Sequence, residues 1–433
     1  MTPAARIAAA IEVLADIAAR RRPAADALKD WGLSHRFAGS GDRAAIAGLM
    51  YDALRRRASA AFVMHEESAR AIMLGMLRLE RKHDPAAIAA LFDGGRYAPS
   101  ALSAAEREAL KDADLAAAPP PVAGDYPDWL DPHLARVFGD ERAAEGAALA
   151  SRAPLDLRVN TLKGEREATR AELAELQPET TRWSPFGLRI RLSADAKSPP
   201  IHAEPAFIKG LIEIQDEGSQ LASLFAGARP GEQVVDLCAG GGGKTLALAA
   251  MMANKGQIFA SDADKRRLAP IHARLERAGV RNVQVRTPRA DTDVLSDLAG
   301  QIDLVLIDAP CTGTGSWRRN PDAKWRLRPN ALALRQRDQA ALLDRAVPLL
   351  NGRGRIAYIT CSVLAEENND QIRAFLGRHP DFVAAPAQQM LAALGERAFL
   401  FQRAAMFAEE GLLMTPRRTD TDGFFVSLLT RRV

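Results

Sequence analysis

Val-Val-Asp-Leu-Cys-Ala-Gly-Gly-Gly-Gly-Lys-Thr, residues 234–245, runs from an apolar strand pattern through four consecutive glycines into a helical pattern. Glycines let the backbone turn sharply and approach a ligand, and a following helix presents free amides. The spacing fails the Gly-x-x-x-x-Gly-Lys-Thr rule of a phosphate-binding loop, and it is no standard dinucleotide fingerprint either. An acid closes the next strand pattern: Asp262 stands 20 residues after Gly242. That gap suits a carboxylate accepting from ribose hydroxyls, so the pair of features predicts an adenosine-containing cofactor. Its expected contacts are Cys238, Ala239, Gly240, Gly241, Gly242, Gly243, Lys244 and Asp262.

Outward from this turn, short apolar runs alternate with helical stretches. Strands are expected at 233–237, 257–261, 283–286, 304–307, 355–359 and 424–429, with helices at 246–252, 265–278, 331–350 and 368–378. This alternation predicts an open α/β sheet with ligands at the carboxyl ends of its strands, over residues 206–433. Before it, 155–162 and 188–192 alternate apolar and polar residues, as in strands of a small mixed α/β subdomain placed at 126–205. Residues 127–152 read as helical. Residues 1–116 are alanine-rich with apolar residues three and four apart, which predicts a helical bundle, and the Pro/Ala segment 117–125 reads as a linker.

Composition narrows the class. With 47% hydrophobic and 26% charged residues the chain has the balance of a soluble globular protein of two or three domains. It has no uninterrupted apolar run long enough to span a membrane, and the N-terminus lacks a secretory pattern. Three cysteines in 433 residues cannot close a disulfide set, which fits a reducing cytoplasm. Residues 1–60 hold ten Lys/Arg against six Asp/Glu, and the whole chain 58 against 54, so the excess of four positive charges lies at the N-terminus. There Arg20, Arg21 and Arg22, and Arg55, Arg56 and Arg57, form two clusters that suit either RNA phosphates or solvated helix ends.

The remaining two cysteines sit where chemistry is expected. Cys311 lies in Leu-Ile-Asp-Ala-Pro-Cys-Thr-Gly-Thr-Gly (306–315), just after Asp308 at the end of the fourth strand. Cys361 lies in Tyr-Ile-Thr-Cys-Ser-Val-Leu-Ala-Glu-Glu-Asn (358–368), ending the fifth before a helix start that favours a thiolate. A zinc site is a poor alternative, because the cysteines are unpaired and no His lies within a few residues of any of them. Downstream, Trp-Arg-Arg-Asn-Pro-Asp-Ala-Lys-Trp-Arg (317–326) interleaves aromatics with cations. Arg318, Arg319 and Lys324 there suit a grip on a splayed RNA strand, and the two tryptophans equally suit a core.

Together these motifs, with Gln-Asp-Glu-Gly-Ser-Gln (215–220) and Asp-Gly-Phe-Phe (422–425), resemble the RsmB/Sun family of RNA cytosine-5 methyltransferases from about Leu155 onward. Arg-Phe-Ala-Gly-Ser-Gly-Asp-Arg (36–43) resembles the NusB-like RNA-binding domain of the bacterial rRNA enzymes. The resemblance implies a class I methyltransferase sheet of Rossmann-like type, S-adenosylmethionine as cofactor, and RNA as partner, with 16S rRNA favoured over tRNA. It implies Cys361 as the nucleophile toward cytosine carbon 6, Asp308 at the base edge and beside the cofactor, and Cys311 in release. Cys311 is the rival nucleophile, because DNA cytosine-5 methyltransferases use the cysteine of their Pro-Cys motif. A cytoplasmic, metal-free monomer is expected; the alternative is a ribosome-assembly factor that binds RNA without turnover. Two departures stand out: Gly240 and Gly241 replace the family's Ala-Pro, and the third strand lacks its usual acid, so that either Asp291 on a shifted loop reads adenine or adenine is held differently.

Overall fold

The computed structural model describes residues 1–192, 199–290 and 292–432. The described chain forms two compact units, one of residues 1–153 and 317–327, the other of 154–191, 199–316 and 328–432.

The first unit is helical. Its opening helix, Pro3–Arg20, starts where the Thr2 hydroxyl accepts from the Ala5 amide and a proline takes the first helical position. It ends where Arg21 turns left-handed, and buries Ile7, Val13, Leu14 and Ile17. Helices Arg57–Met64 and Ala69–Leu79 cross where Gly75 meets Ala60; a Cβ on Gly75 would lie 2.6 Å from the Ala60 backbone.

Two expectations are corrected here. The 117–125 segment is no free linker: Pro120–Ala123 is a helical turn packed on the helices Arg57–Met64 and Arg142–Ala150. It leads into Asp125, which is fully buried and accepts from the Ser59 amide at 2.9 Å and hydroxyl at 2.7 Å. Residues 126–153 fall in the helical unit, although the expected subdomain begins at 126.

The second correction concerns the Trp/Arg segment. Trp317, Arg318 and Lys324 are buried, so Arg318 and Lys324 cannot grip RNA from the surface. Lys324 Nζ donates to the carbonyls of Arg55 at 3.0 Å and Asp125 at 2.6 Å, and Trp325 Nε1 donates to that of Leu54 at 2.7 Å. Arg55, buried too, donates to the carbonyl of Arg318 at 3.0 Å. Burial lowers the Lys324 ammonium to about 7, against the pull of Asp125. Of the other candidates, Arg56 is half-buried on Glu80 and Arg22 is held between Asp16 and Asp30, while Arg20 and Arg21 are exposed. Arg319 is half-buried.

The second unit carries two sheets. In the small one, β1 (Leu155–Val159) pairs antiparallel with β3 (Gly187–Ile190) and β4 (Ile212–Ile214), and β2 (Glu179–Thr180) borders β3. β4 lies beyond the expected boundary at 205 and still completes this sheet. A buried charge knot ties the pieces together: Arg189 makes a bidentate pair with Asp156 at 2.7 and 2.8 Å and reaches Asp420 at 2.6 Å. Glu217 accepts from the amides of Trp183 and Ser184 at 2.6 and 2.8 Å, so the knot satisfies its own members.

The large sheet uses β5 (Gln233–Asp236), β6 (Gln257–Ser261), β7 (Val283–Arg286), β8 (Ile302–Asp308), β9 (Leu350–Thr360), β10 (Phe382–Ala384), β11 (Met406–Ala408), β12 (Gly411–Met414) and β13 (Phe424–Arg431). The order is β11-β12-β13-β9-β8-β5-β6-β7, with β10 beside β13. β5 to β9 run parallel and β13 antiparallel to β9, the arrangement of a class I methyltransferase. The parallel strands are covered on both faces, which is why Leu304 to Ile307 form an unbroken apolar run with no exposure. The expected helix at 265–278 is two, Lys265–Leu268 and Ile271–Ala278, split at Pro270. From β5 the chain winds to β6 and β7 and then returns to β8 on the other side, so a crevice opens past Asp236 and Asp308.

Replacing Lys324 with Met keeps the buried stem but removes both donors. Chemical denaturation of the Lys324→Met protein should show a loss of about 1–3 kcal/mol, the cost of two unsatisfied carbonyls. Unchanged stability with weakened RNA binding would restore the surface role.

Candidate active site

The glycine turn follows β5 and feeds the helix Gly243–Met251. Gly240 and Gly242 have φ of +49° and +84°, and a Cβ on Gly242 would lie 2.6 Å from Ile271. Backbone and space together require glycine at 242, whereas at 240 only the left-handed backbone favours it. Asp262 closes β6 and holds the turn, accepting from the Gly240 amide at 2.9 Å and the Asp264 amide at 2.9 Å. Each carboxylate oxygen keeps a lone pair, so this role leaves Asp262 free to accept from hydroxyls.

Asp236 is fully buried beneath the turn. One oxygen accepts from the Thr245 hydroxyl at 2.7 Å, and the other has no partner. Burial raises its carboxyl to about 7, with Asp308 adding to the rise and Thr245 opposing it. Cys238, half-buried, has its thiol pushed up by desolvation and by Asp236, Asp308 and Asp262. It stays protonated, no nucleophile in waiting.

Lys244 does not point to a phosphate. Its Nζ donates to Asp308 at 2.7 Å and lies 5.2 Å from the centre of the Phe424 ring. The pair joins the glycine turn to the end of β8, and Asp308 keeps about a third of its side chain exposed to the crevice. Such a carboxylate can meet a ligand with its charge already balanced.

Cys311 and Cys361 come together: Sγ to Sγ is 3.3 Å, close enough for one thiol to donate to the other. Cys311 is pushed well above the ordinary thiol value by that bond first, then by burial, with Glu367 adding to the effect. Glu367 accepts from the Thr312 amide at 2.8 Å, from the Thr312 hydroxyl, and from Gln339 at 3.1 Å. Burial raises its own carboxyl, and these donors offset part of the cost. On the other side Asn368 holds the Cys361 loop, accepting from the Thr360 hydroxyl at 2.5 Å and donating to the Ser362 carbonyl at 2.9 Å. The Glu-Glu-Asn turn thus braces both thiol loops, a role that the sequence signalled only by placing acids at a helix start.

The loops also meet main chain to main chain. The Gly315 amide donates to the Cys361 carbonyl at 2.9 Å and the Gly423 amide to the Gly315 carbonyl at 2.8 Å. Thr314 adds a hydroxyl to Ser362 at 3.0 Å and accepts from the Val363 amide at 2.9 Å. The structure therefore brings Asp236, Cys238, Lys244, Asp262, Asp308, Cys311 and Cys361 into one unit at the strand ends. Asp291 lies outside the described residues. Asp293, the next acid, accepts from the Leu295 amide at 3.1 Å and pairs with Arg345 at 2.9 Å. Among the described residues no group of three side chains is set to hold a metal.

Comparison with known proteins agrees with this geometry. Residues 224–430 match the family described as 16S rRNA methyltransferase RsmB/F, and residues 126–196 a ferredoxin-like domain described as RsmF/B-like. The chain is 33% identical over 309 residues to ribosomal RNA small subunit methyltransferase B of Salmonella agona, covering 71% of this chain and 66% of that protein. A probable ribosomal RNA small subunit methyltransferase B of Synechocystis is 31% identical over 310 residues, covering 71% and 67%. The crystal structure of the protein PH0851 superposes with a TM-score of 0.73 at 26% identity, covering 99% of both chains.

The cofactor is S-adenosylmethionine, and the residues fit it. Asp262, closing β6, retains acceptor capacity for hydroxyls, and the side-chain-free turn at Gly240 to Gly243 leaves the backbone open to close approach.

The Asp236 shift has a checkable sign. A carboxyl raised in the folded state favours folding below the unfolded value near 4 and loses that contribution as pH rises through about 7. Without cofactor, the thermal midpoint of Asp236→Asn relative to the wild type should therefore climb between about pH 4 and pH 7. A flat difference across that window would show that Asp236 ionises normally.

Proposed function

We propose that this chain, which belongs to the 16S rRNA methyltransferase RsmB/F family, forms 5-methylcytosine in RNA through a covalent adduct on Cys361. Small-subunit rRNA is the substrate this reading favours, and the helical unit, read as NusB-like, is assigned to RNA binding. The observation that carries it is the contact of Cys311 and Cys361 at 3.3 Å in the same unit as the Asp308–Lys244 pair.

Carbon 5 of cytosine is a weak nucleophile. Addition of the Cys361 sulfur to carbon 6 forms a carbon–sulfur bond and leaves carbon 5 enamine-like. Asp308, oriented by Lys244, accepts from the exocyclic 4-amino group of the base and so holds the edge around ring nitrogen 3. S-adenosylmethionine, when bound, supplies an electrophilic methyl group on a sulfonium. Release then requires transfer of the carbon 5 proton to a solvent water, with the electron pair of that bond restoring the 5,6 double bond as the Cys361 thiolate leaves carbon 6.

The contact between the two thiols supports this division. Cys311 resists ionisation because its proton is shared with Cys361 and because Glu367 lies close. A protonated Cys311 can stabilise a Cys361 thiolate by donation, both before attack and as the adduct breaks. Because the base must leave its stack to reach the crevice, a single-stranded or looped target suits the site.

Labelled S-adenosylmethionine incubated with unmodified small-subunit rRNA tests the reading. Cys361→Ala should abolish incorporation into cytosine; turnover within a few-fold of wild type would remove Cys361 as the nucleophile. Cys311→Ala should instead accumulate a protein–RNA species that survives denaturing gels. A Cys311→Ala protein that turns over freely with no such band would end the release assignment.

A further inference from the structure

The helical unit exposes aromatic rings that its own fold does not use. Phe37 is 73% exposed and Tyr97 65%, and both line one cavity of about 660 Å³. That volume falls in the range of small-ligand sites. Behind Phe37 the rings form a rigid ladder: Trp31 stacks on His35 with centroids 4.3 Å apart and an interplanar angle of 10°, and Phe37 meets His35 edge-on at 5.8 Å. The ladder is anchored below, where Trp31 Nε1 donates to Glu12 at 3.0 Å. Phe37 is thus presented outward by packing and hydrogen bonding beneath it, at the cost of leaving a large apolar ring in water.

Charge selects the occupant. The two acids lining the cavity are already engaged, Glu12 with Trp31 and Asp42 with Arg6 at 2.8 Å. Arg36 and Arg96, next in the chain to the two exposed rings, are themselves exposed, and neither has an ion pair among the described residues. Arg96 sets its guanidinium 5.1 Å from the Tyr97 ring centre. Exposed aromatic faces beside exposed cations, with Arg36 and Phe37 in the stretch 1–60 that holds the positive excess, match unstacked bases on a phosphate backbone. An apolar protein helix would have no use for the arginines.

We propose that this cavity is a second RNA site, separate in sequence from the thiol-bearing loops. It takes a single-stranded segment of the substrate, with a base stacked on Phe37 or Tyr97 and its phosphates met by Arg36 and Arg96. The proposal rests on RNA being the substrate, as argued above.

The test uses the full chain and an in vitro transcript of small-subunit rRNA. Phe37→Ala combined with Tyr97→Ala should weaken binding of the transcript about tenfold, raising KM with kcat and the thermal midpoint unchanged, since both side chains are exposed. Arg36→Ala with Arg96→Ala should flatten the dependence of log affinity on log salt by one to two in slope. Photocrosslinking of a 4-thiouridine transcript should map to residues 31–37 or 96–97. If the wild type methylates the transcript and the aromatic double variant binds it within twofold, the site is not an RNA site and a protein partner becomes the better occupant. If the wild type neither binds nor methylates any RNA, the enzymatic reading falls and this proposal with it.

Discussion

The site depends on two glycines touching. A Cβ on Gly315 would lie 2.1 Å from the Gly423 carbonyl, and one on Gly423 would lie 2.6 Å from the Gly315 α-carbon. Neither position admits any other residue without moving the main chain. Through that approach the loop after β8 hydrogen-bonds at once to the Cys361 carbonyl and to the segment entering β13. Since β13 lies next to β9 in the sheet, the crossing fixes the ends of both strands against the Cys311 loop. The separation of the two sulfurs follows from backbone packing; it does not rely on the sulfurs attracting each other.

Around this crossing the protein places charge in pairs and leaves two deliberate imbalances. Lys244 answers Asp308, and Arg189 answers Asp156 and Asp420. Asp236 keeps one buried oxygen without a donor, and Cys311 keeps a proton it cannot easily lose. Both run against the ordinary rule that buried polar groups are satisfied or neutral by choice. The first leaves a buried acid beneath the glycine turn, and the second a protonated thiol 3.3 Å from Cys361.

Much of this was legible in the residues. The parallel strands show as apolar runs because both of their faces are covered, and their carboxyl ends carry the acids and thiols that the sheet then gathers. The short strands β10, β11 and β12 escaped because three or four residues make no clear periodicity. Lys324 was misread for a different reason. A lysine between aromatics looks the same whether it faces water or two main-chain carbonyls, and the carbonyls that bury it belong to Arg55 and Asp125, far away in sequence. Glu367 shows in the sequence only as an acid at a helix start, because its partner Thr312 lies 55 residues earlier, beyond what local pattern can show. Pro270 lies inside the expected helix and divides it, as its missing amide requires.

The buried place of residues 317–327 among the first helices has a consequence for biosynthesis. Trp325 and Lys324 complete a core whose other members lie before residue 126. During translation those helices emerge first and must wait for the strands from β1 through β8 to be made before their last side chains arrive. Until then the pocket for Trp325 is open and the Asp125 carbonyl has no lysine. The N-terminal core is therefore complete only once the chain has been made through residue 327.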